Sequence, residues 1–268
     1  MAGKPVLTSF FAALLCALSA GAAQALENPF PKAGGAYLVL RDGQPLWGAG
    51  LDRPLQPASL SKMMMALLAV ESGKAPDRVV MVGAGAARAT GKRLGLRARD
   101  RLRAADLLAA AMIASTNDAC RALAEDLGGT RERFTAAMNA RAVALGMQDT
   151  RFADPCGHDR PGQHTTVADM AKLAQAVAAR PELMRLAALR NATVRSVDGK
   201  RSFKLKSTNA LLAYRGVIGI KTGYTPEAGR CIVGLAERDG VRVLVVILNG
   251  ADRWWDAAGM IERAFSTR

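Results

Sequence analysis

Apolar positions along the chain follow three successive patterns, and their order predicts the fold. Over residues 34–50, GGAYLVLRDGQPLWGAG, apolar residues flank Asp42-Gly43, which predicts two short strands joined by a tight turn. Over residues 57–70, PASLSKMMMALLAV, every position after Lys62 is apolar. That run predicts a helix with no polar face, which belongs in a core, and it ends near Gly73. Helical spacing continues over residues 104–114, 118–126, 130–145 and 166–179, with a long loop over 151–165. After Pro181 the period shortens to that of strands, over residues 192–198, 217–221, 231–238 and 241–248, and Asp239-Gly240 marks a second tight hairpin. An amphipathic helix closes the chain over about 252–264. Strands, helices, strands and a helix in that order predict an α/β chain of the α+β kind. One antiparallel sheet is drawn from both chain ends (about 33–62 and 191–268), with a helical lobe of about 63–190 inserted between them. No linker, low-complexity tract or internal repeat interrupts this pattern.

The first residues carry a different signal. Lys4 precedes an apolar stretch over 6–20 and a small-residue end, Ala23-Gln24-Ala25. This is the layout of a secretory leader with an A-x-A cleavage site, so residues 1–25 are expected to be removed and residues 26–268 to remain. The alternative is an uncleaved anchor, because residues 6–26 are just long enough to span a bilayer. Leu15 before Cys16 does not fit a lipoprotein site. The expected location is extracytoplasmic or periplasmic and soluble, with no integral membrane anchor after cleavage.

Composition narrows the classes further. With 268 residues, half of them apolar, the chain can bury a sizeable core. Its net charge is +14, yet the cations are scattered and no five-residue run is all Lys and Arg, so a nucleic-acid partner is not expected. Loss of the leader would leave Cys120, Cys156 and Cys231, which allow at most one internal disulfide, with the pairing open. Cys120 lies one helical turn after Asn117, so its thiol is expected behind whatever site Asn117 serves.

Candidate chemistry begins with Ser59 and Lys62. Three residues apart on a helix they share a face. A lysine in apolar surroundings loses proton affinity, and a half-neutral amine beside a hydroxyl is a base beside a nucleophile. A capping serine and a lysine reaching out to water would give the same spacing. Histidine-based catalysis is poorly supported: there is no G-x-S-x-G elbow, and His158 and His164 share the loop DPCGHDRPGQH. That loop also holds Asp154, Cys156 and Asp159, but its Gly/Pro-broken sequence reads as a structured loop; no metal and no cofactor are expected.

The company for Ser59 and Lys62 lies in two other segments. MIASTNDAC places Ser115 and Asn117 between two helices, and GIKTGYTPEAGRC places Lys221, Thr222 and Gly223 at a strand end. Together they match the S-x-x-K, S-x-N and K-T-G signature of penicillin-recognising serine enzymes. Over nearly all of the chain after the leader, the sequence resembles the serine-type D-alanyl-D-alanine carboxypeptidases, the low-molecular-mass penicillin-binding proteins. The stretches PASLSKMM, GLRARDRLRAADLLAAAMIASTNDAC, GHDRPGQHTTVADMAKLA and STNALL carry the likeness, as does GIKTGYTPEAGRC.

The resemblance implies a β-lactamase/transpeptidase-like fold, with the site between the sheet and the helical lobe. It implies peptidoglycan stem peptides as substrate and β-lactams as covalent inhibitors. On matching positions, Ser59 would be the nucleophile, Lys62 its base and Ser115 the proton relay. Asn117 would hold the substrate amide and orient Lys62, while Lys221 and Thr222 would bind the terminal carboxylate. Gly223 would keep the strand edge open, and the N–H groups of Ser59 and Tyr224 would meet the oxyanion. Many relatives carry a second β-rich domain and a C-terminal amphipathic anchor, whereas this sequence stops at IERAFSTR, so neither is expected. Carboxypeptidase is favoured over the alternative, an endopeptidase acting on cross-links. A class A β-lactamase is disfavoured because no E-x-x-L-N precedes K-T-G, and a non-catalytic wall-peptide binder because every catalytic position is filled.

Overall fold

The computed structural model describes residues 27–267. The leader, its cleavage site and Cys16 lie outside the described residues. In chain order the strands are β1 (Gly34–Arg41), β2 (Gln44–Ala49), β3 (Val79–Met81), β4 (Arg101–Arg103), β5 (Asn191–Arg195), β6 (Ser202–Lys206), β7 (Val217–Thr225), β8 (Gly229–Arg238) and β9 (Val241–Gly250). The helices are α1 (Ser61–Glu71), α2 (Ala84–Ala87), α3 (Ala104–Ile113), α4 (Asn117–Gly128), α5 (Arg131–Ala144), α6 (Val167–Ala178), α7 (Pro181–Ala188) and α8 (Arg253–Ser266).

Five strands form one antiparallel sheet in the order β2-β1-β9-β8-β7, so both chain ends build it, as the pattern predicts. Side chains on a strand alternate between faces, and here both faces are covered. Tyr37, Val39, Val245 and Ile247 pack with Met260 and Ile261 of α8. Leu38, Leu40, Val246 and Leu248 face the helical lobe instead. Burial on both faces explains why β9 reads as an almost unbroken apolar run, VLVVIL. The apolar helix expected after Lys62 is α1, whose residues Ser61 through Leu67 are all buried at the centre of the lobe.

The structure departs from the sequence reading in several elements. The strand expected over 192–198 is β5, which pairs with β6 in a separate two-stranded sheet rather than joining the main one. A second small sheet, β3 with β4, was not expected. The segment after Pro181 begins with helix α7, because proline fits the first helical turn, where its missing N–H costs nothing.

A disulfide joins Cys120 on α4 to Cys156 in the 151–165 loop, with Cα atoms 5.9 Å apart and a sequence separation of 36. The expectation of a Cys120 thiol is therefore corrected: the residue lies behind Asn117 but is bonded to the loop that covers it. Cys231 is the free cysteine among the described residues, buried in β8, with burial pushing its pKa up to about 11. Closing a loop of this length removes denatured-chain entropy worth about 2–4 kcal/mol. Replacing Cys120 and Cys156 together with serine is expected to lower unfolding stability by about that amount. An unchanged denaturation midpoint would show that the bond is dispensable.

Candidate active site

The turn that carries Ser59 is tighter than the helix expected from the sequence. Ala58–Leu60 form a 3₁₀ turn, and α1 begins only at Ser61. Ala58 sits at φ +47°, a left-handed conformation that costs a non-glycine residue about 1–2 kcal/mol. Two backbones press on this turn and hold it. A Cβ on Gly157 would come within 1.8 Å of the Ala58 carbonyl oxygen, and one on Gly223 within 3.0 Å of the Ser59 nitrogen. Only glycine lets the covering loop and β7 approach that closely. Ser59 itself stays partly exposed.

Lys62 lies one turn further on and is fully buried. Its Nζ is 2.9 Å from Ser59 Oγ, 2.7 Å from Asn117 Oδ1 and 2.5 Å from the Cys156 carbonyl. Burial pulls its pKa down to about 7, against a smaller opposing pull from the charge of Asp154. A neutral amine has two N–H donors and one lone pair. The two carbonyl oxygens can only accept and so take both donors, which leaves the lone pair for the Ser59 hydroxyl proton. The arrangement is a base already aimed at a nucleophile.

Ser115 and Asn117 sit where α3 gives way to α4. Ser115 takes φ +61° in the connecting turn and accepts from Lys221 Nζ at 2.8 Å. Asp118, buried in the first turn of α4, accepts from the N–H groups of Leu94, Gly95 and Leu96 at 2.8–3.0 Å. It thereby pins the segment that carries Thr90 and Lys92 against Asn117, whose backbone N–H donates to the Lys92 carbonyl.

 Sequence alone gave Asp118 only the look of an ordinary acid at a helix start.

Lys221 differs from its expected placement. It is 1% exposed and does not line the cleft; its Nζ donates to Ser115 Oγ and, at 2.9 Å, to the Thr222 carbonyl. Burial, then the charges of Lys62, Lys92 and Arg253, hold its pKa well below the ordinary lysine range. Arg253, at the start of α8, is the permanent cation that lines the cleft beside Thr222, and its guanidinium donates to the Gly223 carbonyl. In the sequence it looks like a surface residue opening a helix, so nothing there marked it. Thr222 donates to Thr208, which belongs to the STNALL stretch. Tyr224 contributes backbone to the same wall and turns its side chain outward, 61% exposed.

The loop that holds both histidines covers the other side. Asp154 accepts from His158 Nδ1 at 3.0 Å and from the N–H groups of Cys156 and His158. Burial acts to raise its pKa, but these hydrogen bonds outweigh it and hold the carboxyl at about 2. Thr225 on β7 donates to Asp159 at 2.6 Å, tying the loop to the sheet. Among the described residues, no group of three or more His, Cys, Asp and Glu is placed to hold a metal ion. The cleft left between loop, turn and β7 has a volume of about 370 Å³, enough for the end of a peptide.

Comparison with known proteins gives a consistent picture. A family model described as D-alanyl-D-alanine carboxypeptidase, Peptidase S11, matches residues 32–252. The D-alanyl-D-alanine carboxypeptidase DacF of Bacillus subtilis is 32% identical over 240 residues, which cover 86% of this chain and 61% of that protein. The chain therefore spans about three-fifths of that relative's length. A D-alanyl-D-alanine endopeptidase of Pseudomonas aeruginosa is 29% identical, covering 85% of this chain and 77% of its own. The structure of the Streptomyces K15 DD-transpeptidase superposes with a TM-score of 0.83 at 25% identity, covering 90% of this chain and all of that one.

Proposed function

We propose a D-alanyl-D-alanine carboxypeptidase activity for this chain, which belongs to the D-alanyl-D-alanine carboxypeptidase family. The observation that carries the reading is the Lys62 amine, buried, lowered to about 7 and 2.9 Å from Ser59 Oγ. Ser59 Oγ attacks the carbonyl of the penultimate D-alanine as its proton passes to Lys62. The N–H groups of Ser59 and Tyr224 receive the oxyanion. Ser115, polarised by Lys221, delivers a proton to the departing amine. Free D-alanine leaves, and water hydrolyses the ester on Ser59. The terminal carboxylate of the stem peptide lies against Thr222 and Arg253, with Lys221 adding positive charge from behind Ser115. A β-lactam enters the same steps, but its leaving group stays tethered, so the ester persists.

The Cys120–Cys156 disulfide supports an oxidising, extracytoplasmic location, in line with the leader pattern. No described helix is long and apolar enough to cross a membrane. The Pseudomonas relative's name supports a second reading, cleavage of D-alanyl cross-links, in which the same groups act on a larger leaving amine. Incubation with pentapeptide monomers and with cross-linked dimers, followed by mass analysis, separates the two. Release of D-alanine faster than dimer cleavage is expected, and the opposite ratio makes the protein an endopeptidase.

Arg253→Ala is expected to raise KM for a D-Ala-D-Ala peptide by about 10- to 100-fold, with a smaller fall in kcat, because a charge-assisted contact to a carboxylate contributes about 1.5–3 kcal/mol. An unchanged KM would remove Arg253 from carboxylate recognition.

A further inference from the structure

Asn117 has two amide hydrogens, and both are engaged in the empty cleft. One goes to the Thr90 carbonyl at 2.7 Å and the other to His158 Nε2 at 3.2 Å. Both assignments follow from the partners. The Thr90 oxygen only accepts, so the amide nitrogen must face it, which leaves Oδ1 toward Lys62 at 2.7 Å. On the far side, ionised Asp154 only accepts, so His158 carries its proton on Nδ1 and presents a lone pair at Nε2. Yet the proposed mechanism asks Asn117 to donate to the substrate's amide carbonyl. There is no third hydrogen.

We propose that His158 gates Asn117: in the free protein its Nε2 occupies the amide hydrogen that a substrate carbonyl must take. This inference rests on the peptidase reading of the cleft. Of the two acceptors, the histidine is the one that yields. The Thr90 contact is shorter and belongs to backbone held down through Asp118. The His158 side chain is 25% exposed and forms part of the cleft wall, so it can swing aside while Asn117 keeps its bond to Lys62. His158 is thus a positioning residue that acts through Asn117, and it sets how readily substrate enters rather than how fast the bound substrate reacts. Its histidine signal was visible in the sequence, but the catalytic roles left it unused.

Two measurements test the gate. In steady-state kinetics with a diacylated D-Ala-D-Ala peptide, His158→Leu should lower KM by about 2- to 10-fold, the range of one competing hydrogen bond, and by more than it changes kcat. His158→Gln, which restores an acceptor near the position of Nε2, should return KM toward the wild-type value. A KM that rises in the leucine variant, or falls equally in both, overturns the gate. The second measurement uses wild-type protein and does not depend on turnover. Nitrogen-15 NMR of the histidine ring above pH 7 should show His158 protonated on Nδ1 with Nε2 accepting. A proton on Nε2 overturns the gate even if D-alanine is released. Wild-type protein that releases no D-alanine while showing the Nδ1 tautomer contradicts the peptidase reading and leaves the Asn117–His158 contact standing.

Discussion

Ser59→Ala is expected to reduce release of D-alanine from a pentapeptide by on the order of 10⁴–10⁶-fold, the scale seen when a serine peptidase loses its nucleophile. The size of the effect follows from the geometry. Ser59 Oγ lies 2.9 Å from the Lys62 amine, and the turn that presents it is held by close backbone contacts at Gly157 and Gly223. The other site hydroxyls are committed elsewhere: Ser115 accepts from Lys221, and Thr222 donates to Thr208. Removal of one oxygen therefore leaves binding groups in place with nothing to form the ester. Residual D-alanine release within tenfold of wild type, measured on protein freed of contaminating peptidases, would show that Ser59 is not the nucleophile.

Loss of the base should be nearly as severe. Lys62→Ala is expected to slow acylation by about 10²–10⁴-fold, as when a positioned proton acceptor is deleted. The wild-type pH profile tests the same group without mutation. Lys62 acts only when neutral, and burial lowers its pKa to about 7. The acylation rate should therefore reach a plateau above pH 7 and fall about tenfold per unit well below it, as the amine takes up its proton. A rate that keeps rising toward the ordinary lysine range near pH 10 would mean that Lys62 titrates as a solvated amine.

The parts legible in the sequence were those written in contiguous residues. Ser59 and Lys62 stand three apart beside an apolar run, and that spacing survives even though Ser59 occupies a 3₁₀ turn rather than the helix. The main sheet was legible because β1, β8 and β9 are long and apolar and meet tight turns at Asp42-Gly43 and Asp239-Gly240. Short elements were not. β3 and β4 have three residues each, too few to show a period, and they exist only because they pair with each other. The alternation of β6, SFKLK, was present but its polar face gave no sign of a partner. At the site, the missed residues act through partners far away in sequence. Arg253 reaches the Gly223 carbonyl across 30 positions, and His158 reaches Asn117 across 41. Lys221 shows the converse: its motif placed it at the strand end, but only the fold shows its ammonium turned toward Ser115.

The central claim is that Ser59, activated by Lys62, forms a covalent ester in this cleft. Its most direct test is peptide mapping by tandem mass spectrometry after brief incubation of wild-type protein with benzylpenicillin. The account predicts a mass increase equal to the whole drug, located on Ser59. An adduct on any other residue, or no adduct under conditions that label a known penicillin-binding protein, would contradict it.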